Sequence, residues 1–442
     1  MSPRPDERSG MPESADAPLY AALVRHREKG RAPFHTPGHR NSPAALPRDL
    51  LSLDFTELPD TGSLYDDSGP ILEAERRAAE LFGTARTCFS ADGCTLCIQA
   101  MLRLAAPRGG KILCSRVIHR SAVNAMALLG LEPVWTMPGA AARAAAASPG
   151  IAAVYVTSPD YYGRLMDLAP VAAACRARGI PLLADCAHGA HLMFTDPVLH
   201  PLRFGAAMTA DSAHKTLGVL TGGAWLNIAD ARYAADAKRA MALFGSTSPS
   251  YPVLASLDLA RAWLRAHPGA FAPLQEKVGA IRAFALSRGI LPPAGKCDPT
   301  RLALDTAAVG LTGVQAAERL RAAGVEPEYA DRAFVVLIAT PFNTDEDFAR
   351  LRTAVAALPP GRPLPEGERI LPPLPPVAAG LREALLAESE TVPLPGAVGR
   401  VAAEAACPCP PGVPVVMPGE RVTAEAADFL RGYGFFAIKV LK

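Results

Sequence analysis

A single lysine stands among residues whose types could do chemistry together. In the segment 212-SAHKT-216, Lys215 has a histidine beside it, hydroxyl residues nearby, and apolar stretches before and after. Lysines usually lie on solvated surfaces, because burying an unpaired ammonium is costly. The setting of Lys215 therefore leaves three interpretations: a surface charge, a phosphate-binding charge, or a covalent catalyst whose amine reacts with a carbonyl group.

An acidic residue follows an apolar segment about thirty residues upstream. Asp185 ends the stretch 181-PLLAD-185, and the small residue Ala187 comes two positions later. A carboxylate at the end of a buried strand needs a dedicated partner. The protonated ring nitrogen of pyridoxal 5'-phosphate (PLP) is one such partner, and Ala187 would let a flat ring approach the backbone. A helix cap or a salt bridge at the sheet end is the structural alternative.

Two more segments complete the pattern. Gly93, Cys94 and Thr95 begin a predicted helix, where free backbone N–H groups can bind a phosphate. His119 lies between a predicted strand and a predicted helix, so its ring could stack on the second face of a pyridine ring. An ordinary helix cap and a loop histidine are the structural alternatives. Taken in order, the phosphate turn, the stacking ring, the acid and the lysine indicate a PLP site.

Strand and helix signals alternate between residues 70 and 250. This alternation predicts an α/β fold with a mainly parallel sheet and helices on both faces, and ligands bind such sheets at the carboxyl ends of the strands. We expect helices at 71–82, 95–106, 120–129 and 168–178. We expect strands at 111–115, 132–137, 152–158, 181–186, 206–212 and 224–229. The polar motifs DCAHGAH, TSPDYYG and DSAHK all fall where a predicted strand ends.

The chain divides into four predicted parts. Residues 1–69 form an N-terminal arm with one helix and loops, and residues 70–250 form the large cofactor-binding domain. Residues 251–360 contain connecting helices and a small α/β domain. Residues 361–442 contain a proline-rich linker and a C-terminal domain.

Composition excludes several other classes of protein. The 45 basic and 43 acidic residues give a net charge of +2, which argues against nucleic-acid binding. No apolar run reaches the roughly 20 residues that a membrane helix needs, and no targeting segment is apparent. The nine cysteines form no paired metal-binding pattern, and Cys407-Pro-Cys409 reads as structural rather than as a metal site. We therefore expect a cytoplasmic protein with reduced thiols and no metal.

These motifs resemble those of the Orn/Lys/Arg decarboxylases, in the short bacterial form without an N-terminal wing domain. The resemblance implies the fold type I architecture of PLP-dependent enzymes, which is similar to that of aspartate aminotransferase. The segments that carry it are FHTPGHR (34–40), DFTELPDTGSLYDDSGPILEAE (54–75), HRS (119–121), TSPDYYG (157–163), DCAHGAH (185–191), SAHKTL (212–217), GSTSPSY (245–251) and GRVAAE…PCPPGVPVVMPGE (399–420).

The resemblance implies roles for individual residues. Lys215 is the Schiff-base lysine, Asp185 pairs with the ring nitrogen, and His188 lies near the substrate. Ala187 and His119 lie on the two faces of the ring. The implied phosphate ligands are Gly93, Cys94, Thr95, Ser212 and His214, and the residues that could reach a neighbouring subunit's site are Ser246 and Ser248.

The implied reaction is decarboxylation of arginine, lysine or ornithine to CO2 and an amine of polyamine biosynthesis. Lys215 or His188 returns the proton to the substrate. The distal cation of a basic substrate needs an acid, and the candidates are Asp60, Asp66, Asp67 and Glu328, some of them donated across a subunit interface. The resemblance further implies a homodimer or a larger homo-oligomer with shared active sites.

Two departures from the family pattern leave alternatives open. Cys186 replaces the acid of the usual D-E-A-H motif, and Cys94 and Cys97 replace polar residues in the phosphate turn. One alternative is another PLP reaction, such as transamination or a lyase or racemase step, for which Arg301 is the best candidate to clamp an α-carboxylate. The other is a non-catalytic homologue, against which the retention of both Asp185 and Lys215 weighs.

Overall fold

The computed structural model describes residues 28–35, 39, 53–137, 139–364, 371–408 and 413–442. The predicted N-terminal helix and parts of the FHTPGHR and PCPPG motifs, including Cys409, lie outside these residues. In the described parts of the chain, no helix is both long and apolar enough to cross a membrane.

A seven-stranded sheet forms the centre of the large unit. Its strands are β2 (Arg86–Ser90), β3 (Gly110–Ser115), β4 (Leu131–Thr136), β5 (Ile151–Thr157), β6 (Leu182–Asp185), β7 (Met208–Asp211) and β8 (Ala224–Ile228). Their spatial order is β2-β8-β7-β6-β5-β3-β4. The five strands from β7 to β4 pair in parallel, while β8 is antiparallel to both of its neighbours. The prediction of a mainly parallel sheet is confirmed.

Helices cover both faces of this sheet. They are α1 (Gly69–Phe82), α2 (Gly93–Ala105), α3 (Arg120–Leu129), α4 (Ala141–Ala147), α5 (Leu168–Ala177), the single turn α6 (Ala213–Thr216), and α7 (Ala237–Ala242). Along β6, Leu183 packs with Met101 of α2, while Leu182 packs with Val171 of α5 on the opposite side. Because both faces are buried, the central strands β5 (IAAVYVT) and β6 (LLAD) are apolar along most of their length rather than alternating.

The predicted helices and strands of this unit are all present, with ends shifted by one or two residues. The sequence did not predict strand β2 or the helices α4, α6 and α7. Strand β2 has the sequence RTCFS. Its polar residues give no apolar pattern, although the strand is mostly buried where it pairs with β8. Helix α4 is almost all alanine, so no apolar periodicity marks it.

A second unit follows the long helices α8 (Tyr251–Ala266) and α9 (Phe271–Ser287). Its elements are β9 (Arg301–Asp305), α10 (Gly313–Ala322), β10 (Val325–Pro327), β11 (Tyr329–Ala330), β12 (Phe334–Ile338) and α11 (Asp345–Ala356). Strand β12 is antiparallel to both β11 and β9. The arm contributes β1 (Ala32–Phe34), which pairs in parallel with β10, so part of the predicted arm packs with this unit.

The C-terminal segment forms a small unit of its own. Its elements are α12 (Leu381–Leu386), β13 (Ser389–Pro393), α13 (Leu394–Ala397), α14 (Ala424–Gly432) and β14 (Ala437–Leu441). Strands β13 and β14 pair antiparallel, and Val416, Phe429 and Leu430 belong to the core beneath them. The Arg116–Glu420 ion pair, at 2.7 Å, joins this unit to the loop after β3.

Candidate active site

Lys215 lies at the edge of the sheet where the parallel strands have their carboxyl ends. Strand β7 ends at Asp211, and the single turn α6 then brings Lys215 back over the strand ends. Its Nζ is 3.0 Å from Nε2 of His188. Burial lowers the pKa of Lys215, and the positive charge of Arg301 adds to this, while Cys94 and Asp185 act in the opposite direction. The lysine is therefore in a setting that favours a neutral amine.

Asp185 ends the neighbouring strand β6, and only 2% of its surface is exposed. One carboxylate oxygen accepts a hydrogen bond from the Tyr155 hydroxyl at 3.1 Å, and the other accepts one from the backbone N–H of Ala187 at 3.1 Å. Within the described residues, Asp185 takes part in no ion pair. A buried carboxylate with this arrangement can accept a hydrogen bond from a protonated ring nitrogen.

The predicted phosphate turn begins helix α2. Gly93 has a φ of +68°, which favours glycine, and its N–H already donates to the carbonyl of Gly222 at 2.7 Å. The next N–H groups, those of Cys94 and Thr95, belong to the first helical turn and have no partner within the helix. Burial raises the pKa of Cys94 well above its usual value, although a hydrogen bond with Ser212 opposes this shift. The Cys94 thiol therefore stays protonated at the start of this helix.

Two histidines flank this turn. His214 Nδ1 donates to the carbonyl of Gly223 at 3.0 Å, and burial lowers its pKa. His119 caps helix α3 through Nδ1, which accepts from the backbone N–H of Ser121 at 3.3 Å. Its ring is exposed, and partial desolvation lowers its pKa while the Asp185 carboxylate raises it. His119 thus lies in the electrostatic field of the same site.

The second unit closes one side of the site. Arg301, at the start of β9, donates to the backbone carbonyls of His188 and Tyr161 at 3.2 Å each. The Tyr161 ring meets the His188 ring edge-on, with 4.8 Å between ring centroids. The Tyr161 hydroxyl donates to Glu328 Oε1 at 3.2 Å, and the Glu328 carboxylate favours the charged form of Lys215. Glu328 therefore places a negative charge near the reactive amine.

The other predicted acids lie elsewhere in the subunit. Asp60, Asp66 and Asp67 are exposed, and Asp67 forms an ion pair with Arg86. Of the four acids predicted to bind substrate, Glu328 is the one whose described contacts reach Lys215. The predicted inter-subunit residues Ser246 and Ser248 are exposed in the single chain.

A buried polar network behind the site was missed from the sequence. Asp211 accepts hydrogen bonds from His200 Nε2 at 2.7 Å and from Asn227 at 2.9 Å. Atoms of Cys186, His200 and Asp211 lie within 4.8 Å of one another. The N–H of Leu202 donates to Nδ1 of His200 at 3.4 Å, so the Nε2 proton faces Asp211 and the set is hydrogen-bonded. Its sequence signal was available: Asp211, like Asp185, ends an apolar strand.

This network explains the departure at position 186. Burial raises the pKa of Cys186 well above its usual value, and the neighbouring Asp211 carboxylate adds to the shift, so the thiol is neutral. The acid that the family usually has here would face the carboxylate of Asp211. Like charges at such short range are strongly destabilising, so a thiol suits this site.

Comparison with known proteins identifies the family. The profile of the Orn/Lys/Arg decarboxylase major domain matches residues 17–153 and 140–281, and that of the C-terminal domain of the same enzymes matches residues 374–437. The chain is 29% identical to an arginine decarboxylase of Bacillus subtilis, over 94% of this chain and 93% of the relative. It is 30% identical to an arginine decarboxylase of Halalkalibacterium halodurans, over 95% and 94%.

Solved structures show the same fold. The Escherichia coli constitutive lysine decarboxylase aligns with a TM-score of 0.73 at 20% identity, covering 96% of this chain and 82% of that one. A Burkholderia pseudomallei sphingosine-1-phosphate lyase aligns with a TM-score of 0.61 at 16% identity, covering 80% and 92%. With the sheet-edge lysine, the buried aspartate and the two matching profiles in place, the chain belongs to the Orn/Lys/Arg decarboxylase family.

Proposed function

We propose that this chain is a PLP-dependent decarboxylase of a basic amino acid, with arginine as the first candidate substrate. The observation that carries the proposal is the Lys215 amine, 3.0 Å from His188 and in the field of the buried Asp185 carboxylate. Relatives from Bacillus subtilis and Halalkalibacterium halodurans that align over nearly their whole length are named arginine decarboxylase, which favours arginine over lysine and ornithine.

The residues at the sheet edge fit the cofactor. Asp185 can hold the ring nitrogen protonated, and Ala187 and His119 border the two faces of the ring. The phosphate would be held by the backbone N–H groups of Cys94 and Thr95 and by the side chains of Ser212 and His214. Thr157, which pairs in register with Asp185, has a buried hydroxyl without a partner, as expected where a polar ligand group would lie. When bound, PLP supplies an electron sink for the bonds at the substrate α-carbon.

The protein residues would then bind, orient and move protons. Lys215 supplies the amine that anchors the cofactor, and His188 sets the orientation of Nζ. The Tyr161 and His188 rings restrict water on the substrate side. After CO2 leaves, the α-carbon needs a proton, and Lys215 Nζ and His188 Nε2 are the two groups placed to deliver it.

Glu328 is the proposed partner of the substrate's distal cation. Its carboxylate lies beside the Tyr161 hydroxyl, and the Tyr161 and Tyr329 rings meet edge-on with 5.0 Å between centroids. A carboxylate next to aromatic rings suits a guanidinium or an ammonium group.

The proposal predicts a visible absorbance band from the lysine-bound cofactor in the purified protein. Lys215→Ala should abolish this band, because it removes the amine proposed to bind the cofactor. The wild-type protein should release CO2 from arginine, with lysine and ornithine offered separately for comparison. A protein that shows no band after PLP is added would refute the cofactor assignment. A band without CO2 from any of the three would refute the decarboxylase assignment alone.

The two alternative functions are less well supported. Arg301 already donates to two backbone carbonyls, so it is not free to clamp an α-carboxylate as an aminotransferase arginine would. A keto acid product in the same assay would nevertheless support transamination. A non-catalytic homologue has no use for a lysine held beside His188 and Asp185.

We also propose that the enzyme is a cytoplasmic homodimer or larger homo-oligomer whose amine product enters polyamine biosynthesis. Phe55, Leu58 and Leu243 are 53%, 45% and 60% exposed, and large apolar residues at a surface suit a subunit interface. Light scattering on the purified chain tests this, and a monomer at micromolar concentration would contradict it.

A further inference from the structure

Arg301 is held in one orientation beside His188. Only 2% of its surface is exposed, and its two terminal nitrogens donate to the carbonyls of Tyr161 and His188. Both nitrogens also lie 3.4 Å from His188 Nδ1. Gly163, with a φ of +85°, permits this packing, because a Cβ there would lie 2.7 Å from Cγ of Arg301. The guanidinium therefore faces Nδ1 in a fixed position.

This contact determines where His188 carries its proton. A guanidinium has donors only and stays charged in proteins, so Nδ1 must accept. Burial lowers the pKa of His188 well below its usual value, and the positive charge of Arg301 adds to the shift, so the ring is neutral. A neutral imidazole whose Nδ1 accepts has its proton on Nε2.

The Nε2 proton faces Lys215. Nζ is 3.0 Å away, and an ammonium offers no acceptor to an N–H group. The contact is a hydrogen bond only when Nζ has a lone pair. We propose that Arg301 is a positioning residue that fixes the His188 proton on Nε2 and thereby holds Lys215 as the neutral, nucleophilic amine before the cofactor binds. The inference rests on the proposed role of Lys215 as the reactive amine.

The surrounding groups show why such a device is needed. Cys94, Asp185, Arg301 and Glu328 act on Lys215, and the carboxylates of Asp185 and Glu328 favour an ammonium. Three features favour the neutral amine instead. They are burial, the positive charge of Arg301, and the N–H of His188, from which an ammonium could not accept a hydrogen bond.

A second buried lysine provides the contrast. Lys238 is 4% exposed and lies 2.6 Å from the Glu75 carboxylate, which accepts hydrogen bonds and so pairs with a charged ammonium. The two lysines thus differ in what they face: an acceptor beside Lys238 and a donor beside Lys215.

The test measures the protonation of Lys215 directly. The full chain, freed of cofactor, is acylated with trace acetic anhydride over a range of pH, and mass spectrometry follows each lysine. We expect the Lys215 midpoint to lie at least about one pH unit below that of the exposed Lys111, a tenfold difference in the neutral fraction. Arg301→Leu should raise the midpoint. Arg282→Leu, which removes an arginine bound to the carbonyls of Asp298 and Arg301 away from His188, should not.

A double-mutant cycle separates the relay from simple charge repulsion. If the effect passes through His188, Arg301→Leu should shift the Lys215 midpoint much less in a His188→Ala background. An equal shift in both backgrounds would show direct repulsion and overturn the proposal. A wild-type Lys215 with the same midpoint as Lys111 would also overturn the proposal. This measurement does not depend on the folding of any variant. Arg301→Lys, which keeps the charge, is the second variant, and we expect a smaller rise.

The measurement uses neither cofactor nor substrate. A low Lys215 midpoint with no CO2 release would leave the inference standing while the proposed function fails. Normal CO2 release together with an unshifted Lys215 midpoint would overturn the inference while the proposed function stands.

Discussion

At the scale of single residues, the chemistry of each site group depends on whether its neighbour donates or accepts. Asp185 accepts from Tyr155 and from a backbone N–H, which keeps a carboxylate stable in a buried place. Cys186 lies beside the Asp211 carboxylate, where a neutral thiol is tolerated. The substitutions below follow from these pairings.

Replacing Cys186 by glutamate should destabilise the protein. The new carboxylate would be buried beside Asp211 without a counter-charge, and we expect a loss of about 3 kcal/mol in the free energy of unfolding. Urea denaturation measures it. Cys186→Ser, which keeps a neutral donor, is the matched control and should lose far less. Equal losses for the two variants would show that the charge of Asp211 plays no part.

Replacing Glu328 by glutamine should weaken recognition of the basic substrate. Loss of one charge-assisted hydrogen bond is worth about 1.5–3 kcal/mol, or roughly a 10- to 150-fold fall in kcat/KM for arginine. Steady-state CO2 release measures this change. Asp67→Asn, at an exposed acid paired with Arg86, is the control and should leave kcat/KM within about twofold. If Asp67→Asn lowers kcat/KM and Glu328→Gln does not, the acid that binds the substrate lies in the segment 60–67 instead.

At the scale of elements, the site forms because parallel strands end at one edge. Strand β6 ends at Asp185, β7 leads to Lys215, and the segments after β2 and β3 contain the predicted phosphate turn and His119. Strand β9 of the second unit adds Arg301 from the other side. The segment after β6 and the segment before β9 are joined by a buried pair. In this pair, Nε2 of His191 lies 3.0 Å from the carboxylate of Asp298.

This pair should make stability depend on pH in the acid range. Burial alone would raise the pKa of Asp298, but His191 and Arg301 lower it to about 2. The native state therefore binds the proton less tightly than the unfolded chain, whose pKa is near 3.9. The stabilisation of about 3 kcal/mol is present above pH 4 and is lost as the pH falls from 4 to 2.

Asp298→Asn tests this assignment. The variant should lose stability at pH 7 and should show a flatter slope of unfolding free energy against pH between 4 and 2. Thermal or urea unfolding across that range measures the slope, with Asp67→Asn as a surface control. An unchanged slope would contradict the link between His191 and Asp298.

At the scale of the whole molecule, ionic pairs hold separate units together. Arg116, fully buried after β3, donates to both carboxylate oxygens of Glu420 at 2.7 Å, and its guanidinium lies 5.2 Å from the Trp135 ring centroid. Burial lowers the pKa of Arg116, and Glu420 counteracts this shift. Arg116 is three residues before His119, so the C-terminal unit supports the loop that bears His119.

Removing one partner of this pair should be costlier than removing both. Glu420→Gln leaves a buried guanidinium uncompensated and should cost about 3 kcal/mol of unfolding free energy. The double variant Arg116→Leu, Glu420→Leu should recover part of that loss. Urea denaturation measures both. A double variant that is less stable than Glu420→Gln would mean that the loss in unfolding free energy comes from the missing ion pair rather than from the unpaired charge.

The sequence was enough to predict most strands and helices of the large unit and to indicate candidate residues at the strand ends. Apolar runs of strand length, each followed by a polar motif, indicate parallel strands, and Asp185, His119 and Lys215 all follow such runs. The short polar strand β2 and the alanine-rich helix α4 were not predictable, because neither has a periodic apolar pattern.

Contacts between distant segments were decided only by the tertiary structure. Arg301 is 113 residues from His188, and Glu328 is 167 residues from Tyr161, so no local pattern links them. The strand that the arm adds to the second unit and the Arg116–Glu420 pair are equally remote in sequence. Strand ends and motifs are local properties of a chain, and so the sequence determined which residues could hold a cofactor. Protonation depends on which donor meets which acceptor in three dimensions, and the fold alone made that choice for Lys215.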